Sequence, residues 1–328
     1  MASDKRSVME PIGGYFELEL AHHKGFPHDD GVLLNTGRNA FEYVLRSLPC
    51  IRHLWIPYYT CSAVLEPVVK LEIPYSFYKI DKNFEIIDPL TLHEGDYLIY
   101  TNYFGVKDDY VCKISDFYGG HLIVDNAQAW FAEPISGINT FYSPRKYVGV
   151  PDGGIAFCLY KTDIGQFEQD YSYNRCSHLL KRLELGAEVG FEDFRSDESL
   201  LSSLQIRLMS ELTKALLSSI DFERIKNTRL RNYKYLDHCL GEFNSLPHID
   251  VSSFRCPMAY PFLTNDNYLR KRLINKKVFV ATYWPNIKQC AAQGSIESEF
   301  ASKLIPLPID QRYDLEDMKR IIKAILDK

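Results

Sequence analysis

The sequence predicts an α/β protein: a three-layer α/β/α arrangement around a mainly parallel sheet, followed by a smaller α+β domain. Short apolar strands alternate with segments of helical period through the first half of the chain. Near Leu200 this texture gives way to a long stretch of helical period without Gly or Pro. The 328 residues, 46% hydrophobic and 25% charged, suffice for a large core and for two domains of about 100–200 residues. The spacing therefore predicts an N-terminal arm over 1–30, a large domain over 31–222 and a small C-terminal domain over 223–328.

Each element has its own reason. The apolar pair Leu33-Leu34 leads into the polar turn Asn35-Thr36-Gly37-Arg38-Asn39, after which Ala40, Phe41, Val44, Leu45 and Leu48 recur at helical spacing. His53–Pro57 is the next short strand, and Tyr59-Thr60-Cys61-Ser62 opens a helix through Val64, Leu65, Val68 and Val69. Further strands are expected at Tyr75–Ile80, Tyr97–Thr101, His121–Asp125, Thr140–Tyr142 and Ile155–Tyr160, all short and rich in aromatic or β-branched residues. From Leu200 to about Leu240 the pattern predicts one long helix or two abutting ones. Tyr260–Leu263, a basic helix near Tyr268–Asn275, a strand at Val278–Thr282 and a C-terminal helix over Leu315–Leu326 complete the small domain.

Composition excludes several classes of function. With 38 Lys and Arg against 43 Asp and Glu, the net charge of −5 offers no general attraction to nucleic acid. The eight cysteines are scattered without a CxxC pair, so they are expected to be reduced thiols rather than a disulfide framework or metal knuckle. His22, His23 and His28 sit beside Gly25, Pro27 and Asp29, which predicts a solvent-facing loop and no metal site. No run reaches the roughly 20 apolar residues of a membrane span, and the N-terminus lacks an apolar signal core; a cytoplasmic protein is expected.

Three segments carry chemistry. In the first, the apolar strand His121-Leu122-Ile123-Val124 ends in Asp125, followed by Asn126-Ala127-Gln128; ligands of open α/β sheets sit at such carboxyl ends. In the second, Thr140-Phe141-Tyr142-Ser143-Pro144-Arg145-Lys146 leads to Gly149 and Asp152-Gly153-Gly154, an amine in a turn flanked by hydroxyls and glycines. The third is Thr36-Gly37-Arg38, where free N–H groups at a helix start favour an anion such as phosphate. Each alone is ordinary: a strand-end Asp more often caps a turn, a loop Lys is usually solvated, and Thr-Gly is a common helix start. In this order on one α/β domain, they supply what pyridoxal phosphate requires: a phosphate anchor, a carboxylate for the ring nitrogen and a lysine for the aldehyde.

Thr36-Gly37-Arg38, Ile56-Pro57-Tyr58-Tyr59-Thr60, Asp125-Asn126-Ala127-Gln128-Ala129, Ser143-Pro144-Arg145-Lys146 and Asp152-Gly153-Gly154 together resemble the DegT/DnrJ/StrS-type sugar aminotransferases of the fold-type I superfamily. The resemblance extends to Arg207–Leu212, Tyr283-Trp284-Pro285 and Leu307–Asp310, so it covers most of the chain. It implies that Lys146 bears the cofactor and moves a proton, and that Asp125 pairs with the pyridine nitrogen. Gln128 then lies against the ring or its phenolic oxygen, and Thr36, Gly37, Arg38 and Ser143 hold the phosphate. It implies further a homodimer and transfer of an amino group from glutamate or glutamine to a keto sugar linked to a nucleotide, in surface polysaccharide or secondary-metabolite biosynthesis.

The chain also departs from the family pattern. Where relatives carry an aromatic residue after the helix-opening Thr it has Cys61, which leaves Tyr59 or Tyr103 to stack on the cofactor ring. The usual His after the Gln is Trp130, and Leu204-Gln205-Ile206 replaces a segment that in relatives reaches the neighbouring subunit's phosphate. The alternatives are another pyridoxal phosphate reaction such as sugar dehydration, and a non-catalytic sensor that binds cofactor or sugar nucleotide.

Overall fold

The computed structural model describes residues 12–21, 25–160, 163–287 and 291–327. The expectations for His22, His23 and Cys290 fall outside them. The strand β1 (Val32–Leu34) passes through Asn35 into α1 (Gly37–Ser47), whose N-terminus is capped by the Thr36 side chain accepting from the Asn39 N–H. There follow β2 (His53–Pro57), α2 (Ser62–Lys70), β3 (Tyr75–Tyr78), β4 (Asp96–Thr101), α3 (Asp108–Tyr118), β5 (Leu122–Asn126), β6 (Asn139–Tyr142) and β7 (Gly154–Phe157).

These strands form one seven-stranded sheet in the order β1-β7-β6-β5-β4-β2-β3. The pairs from β3 to β6 are parallel, and β7 alone runs antiparallel to its neighbours β6 and β1. Alternation along the strands divides the core. Ile99, Ile123 and Phe141 face the layer containing Ala40, Phe41 and Val44 of α1, while Leu98, Tyr100, Leu122, Val124 and Tyr142 point into a larger core on the opposite face. Asp125 belongs to the Ile123 face, so it opens toward the side of the sheet that α1 covers.

Beyond the sheet, α4 (Ser177–Leu185) and α5 (Phe191–Ser202) precede α6 (Glu211–Ser218) and α7 (Phe222–Leu240). A two-stranded sheet pairs β8 (Tyr260–Leu263) with β9 (Leu304–Leu307). Around it lie α8 (Leu269–Asn275), α9 (Ile296–Lys303) and α10 (Leu315–Leu326), the last opened by a capping box from Asp314 to Asp317.

Three expectations are corrected. The helical pattern over Leu200–Leu240 breaks twice. Gln205–Met209 is drawn out by backbone bonds from Asn35 N–H to Arg207 O and from Met209 N–H to Leu33 O, and Ser210 and Asp221 then cap new helices. Val278–Thr282 forms no strand among the described residues, although Val278 is anchored by its N–H to Leu273 O. His28 is buried rather than solvent-facing: its ring stacks on Tyr142 at 4.0 Å and its Nε2 lies 2.6 Å from Trp130 O. Burial lowers its pKa, which keeps the imidazole neutral at physiological pH.

Candidate functional site

Three turns at one end of the sheet converge. The β1–α1 turn brings Thr36 beside Gly153, with Gly153 N–H donating to Asn35 O at 2.7 Å. A Cβ on Gly154 would fall 2.1 Å from Thr36 O and 2.6 Å from Gly37 N. A Cβ on Gly37 would fall 2.9 Å from the Ser143 Cβ and 3.2 Å from its Oγ. The glycines of both motifs are thus required by close backbone approach. They place the N–H groups that open α1 beside the Ser143 hydroxyl, three residues before Lys146, and this cradle suits an anion. Asp152 anchors the glycine turn from behind. Its fully buried carboxylate accepts from Arg175 Nη2 at 2.7 Å and from the Thr213 hydroxyl of α6.

Asp125 lies at the end of β5, buried. Its Oδ1 accepts the Ala127 N–H at 2.8 Å, while its Oδ2 has, among the described residues, only the Thr101 hydroxyl of β4 at 3.5 Å. Burial pushes this carboxyl above its ordinary value; the Lys146 ammonium, the Ala127 N–H and Thr101 pull the other way. Lys146 is exposed in the turn after β6 and makes no hydrogen bond or ion pair among the described residues. The structure therefore joins an anion cradle, an under-compensated buried carboxylate and an exposed amine at one end of the sheet.

Gln128 completes the set. Its Oε1 accepts from the Phe104 N–H at 2.8 Å and its own carbonyl accepts from the Tyr147 hydroxyl at 2.8 Å, yet its buried Nε2 has no partner among the described residues. A buried amide donor left unmatched costs about 1–3 kcal/mol unless a ligand oxygen meets it. Phe104 makes this geometry possible by adopting φ of 55°, a left-handed conformation that a non-glycine residue rarely takes. These residues fit pyridoxal phosphate: an acceptor oxygen for Gln128, a protonated ring nitrogen for Asp125, an aldehyde for Lys146 and a phosphate for the cradle.

Two of the predicted contacts are corrected. The Arg38 guanidinium turns to Glu66 of α2 and donates to Leu201 O of α5, so only its main chain belongs to the cradle. Tyr59 and Tyr103 are completely buried, packed on one another and against Trp284, with Phe84 and Phe300 enclosing them. Neither ring has a free face to stack on a ligand. Cys61, half-buried, forms the N-cap position of α2 with no side-chain cap bond. The half-buried aromatic residue in electrostatic reach of it is Tyr283, whose hydroxyl is pushed up to about 12 by burial.

Thr101, Phe104 and Tyr147 are residues the sequence reading missed. Thr101 had no signal beyond its place at a strand end, whereas Phe104-Gly105 offered one, since a glycine after an aromatic pair at a strand end marks a turn.

No protein-family model matches the sequence, and no curated protein does. Among solved structures the fold recurs. The sugar aminotransferase CalS13 from Micromonospora echinospora superposes with a TM-score of 0.64 at 14% identity, over 90% of this chain and 86% of that one. A DegT DnrJ EryC1 StrS aminotransferase from Brucella abortus gives 0.57 at 14% identity, over 90% and 84%. The ntdA protein of Bacillus subtilis, solved with bound PMP, gives 0.60 at 13% identity, over 90% and 72%. The chain has the fold of the DegT/DnrJ/EryC1/StrS-type aminotransferases.

Proposed function

We propose that this protein is a pyridoxal phosphate-dependent aminotransferase that moves an amino group from glutamate or glutamine to a keto sugar carried on a nucleotide. The observation that carries the reading is an exposed Lys146, a buried Asp125 and a buried Gln128 Nε2 at one end of the sheet, the amine and the amide N–H without hydrogen-bond partners among the described residues. The solved neighbours support it, among them a sugar aminotransferase and a protein holding PMP. When bound, pyridoxal phosphate supplies the aldehyde that receives the donor's nitrogen and the electron sink that stabilises a carbanion.

The chain's own residues do the rest. The N–H groups opening α1 and the Ser143 hydroxyl hold the phosphate, with Thr36 committed to capping the helix. Asp125 keeps a proton on the ring nitrogen, and that opposite charge draws its carboxyl toward the ionised form. Gln128 Nε2 donates to the phenolic oxygen. Lys146 would hold the aldehyde and its amine would serve as the base that moves a proton at the substrate carbon.

Association into a homodimer belongs to the same reading. α4 and α5 leave Leu180, Leu183, Phe191 and Leu200 exposed, and Arg145 beside Lys146 pairs with Glu198 of α5, which brings this apolar surface up to the site. The test is a single half-reaction: pyridoxal phosphate-loaded protein mixed with glutamate or glutamine should yield pyridoxamine phosphate in stoichiometric amount. Loaded protein that turns over neither donor, yet eliminates water from a sugar nucleotide, establishes the dehydratase alternative instead. Light scattering across a dilution series should give twice the 38.0 kDa chain mass.

A further inference from the structure

Arg229 of α7 is 2% exposed, and the hydrogen bonds it donates go to neutral oxygens: Gln311 Oε1, Pro257 O, Met258 O and Tyr147 O. Its guanidinium also lies 4.5 Å from the centroid of the Tyr147 ring. A guanidinium taken out of water and held by carbonyls is expensive to bury, so its place invites the question of what it holds. The bonds close a circuit. Arg229 donates to Met258 O at 2.8 Å; Met258 N–H donates to Phe104 O at 2.7 Å; Phe104 N–H donates to Gln128 Oε1 at 2.8 Å. The Tyr147 hydroxyl donates to Gln128 O at 2.8 Å, and Tyr147 O accepts from Arg229 at 3.2 Å. Gln311 Nε2 adds a second donor to the same Tyr147 carbonyl at 2.8 Å.

That carbonyl belongs to the residue immediately after Lys146. We propose that Arg229 is a positioning residue for Lys146: by gripping the Tyr147 carbonyl and ring it fixes the direction of the lysine-bearing turn relative to the Gln128 amide, and it makes that direction depend on helix α7. Closed circuits of buried hydrogen bonds of this kind rigidify the groups they join. The inference rests on Lys146 being the cofactor-bearing amine.

The test compares two ligands. Pyridoxal phosphate carries an aldehyde that condenses with a lysine amine, losing water, whereas pyridoxamine phosphate carries an amine and cannot. Both use the cradle, Asp125 and Gln128. Dissociation constants for each are measured on wild-type, Arg229→Met, Arg229→Lys and Gln311→Met proteins, with the Lys146 adduct counted by mass mapping after hydride reduction. Arg229→Met should weaken pyridoxal phosphate by about tenfold or more while pyridoxamine phosphate changes by less than about threefold, because misplacement of the amine affects only the condensing ligand. Arg229→Lys should restore part of the difference. Gln311→Met, which spares α7, should show the same selectivity on a smaller scale and carries the test if Arg229→Met does not fold. Parallel loss of both affinities, or no change, overturns the positioning role. Wild-type protein that binds neither ligand overturns the functional reading, and the positioning role with it.

Discussion

Replacing Gly154 by Ala tests the cradle directly, because the crowding there is a matter of distances. The added methyl would sit 2.1 Å from Thr36 O and 2.3 Å from Thr36 C, against an ordinary contact distance near 3.4 Å. Its neighbours are backbone, so no side chain can rotate away; either β7 or the β1–α1 turn must move by about 1 Å. Overpacking of this sort destabilises by about 1–3 kcal/mol, which for a chain of this size lowers the melting midpoint by about 1.5–4.5 °C. The functional loss should be larger. Moving the Gly37 N–H out of line forfeits a hydrogen bond to a charged group, worth about 1.5–3 kcal/mol, or roughly ten- to hundredfold in phosphate-dependent affinity. Gly149, in the same motif, is the control: its added Cβ would meet only Leu179 Cδ2 at 3.5 Å, so Gly149→Ala should leave stability within about 0.5 kcal/mol of wild type. Pyridoxal phosphate binding is followed by fluorescence quenching, and pyridoxal without the phosphate is titrated in parallel. The reasoning fails if Gly154→Ala binds pyridoxal phosphate as wild type does, or if Gly149→Ala is equally impaired.

Hydride reduction of loaded protein should put the pyridoxyl mass on Lys146, and an adduct on Lys107 instead would displace it from its role. Asp125→Asn should lower transamination by about two orders of magnitude or more, and near-normal turnover would exclude the electron-sink arrangement. The same substitution has a stability signature: burial raises the Asp125 carboxyl, so stability from its protonation is fully present below the ordinary 3.8 and lost as pH rises through the folded value. Cofactor-free Asp125→Asn should therefore gain on wild type as pH rises toward neutrality, whereas urea midpoints that run parallel across pH would refute the buried-charge argument. Gly105→Ala should weaken cofactor binding by about tenfold or more, since its Cβ would lie 2.7 Å from Gln128 O and 2.8 Å from the Tyr147 hydroxyl at a φ of 66°; unchanged binding would show that Gln128 tolerates displacement.

The sheet was legible because period and punctuation agreed. Each predicted strand of the large sheet overlaps an observed one, from His53–Pro57, which matches residue for residue, to Ile155–Tyr160, which ends early at Phe157. The C-terminal half was less so. Helical periodicity through Leu204 and Leu208 is genuine in the sequence, but Leu208 is pinned by a backbone bond to Glu168 O, a partner forty residues away that local pattern cannot announce. Val278–Thr282 has the composition of a strand and finds no strand to pair with among the described residues; β-propensity reports a fit to a sheet surface, not the presence of one.

The site divides along the same line. The strand-end place of Asp125, the turn that carries Lys146 and the close approach of the glycines could be anticipated because their causes are local. The Arg38 guanidinium and the Tyr59 ring lie elsewhere than expected because their destinations are set by distant elements, Glu66 and Leu201 for one, Trp284 and Phe300 for the other. Arg229 gives the reverse case. Nothing in its helical neighbourhood distinguishes it from Arg224 or Arg231, and only the fold shows that it is buried beneath the turn that carries Lys146, linked to two segments separated from it by 82 and 125 residues of chain at Tyr147 and Phe104. The direct bond is to Tyr147, and Phe104 is reached through Met258. The places of Asp125 and Lys146 are thus legible from local sequence, while the contacts of Arg229 are legible only from the fold. The substitution at Arg229 is for that reason the sharper test of the structure, and that at Lys146 the sharper test of the sequence.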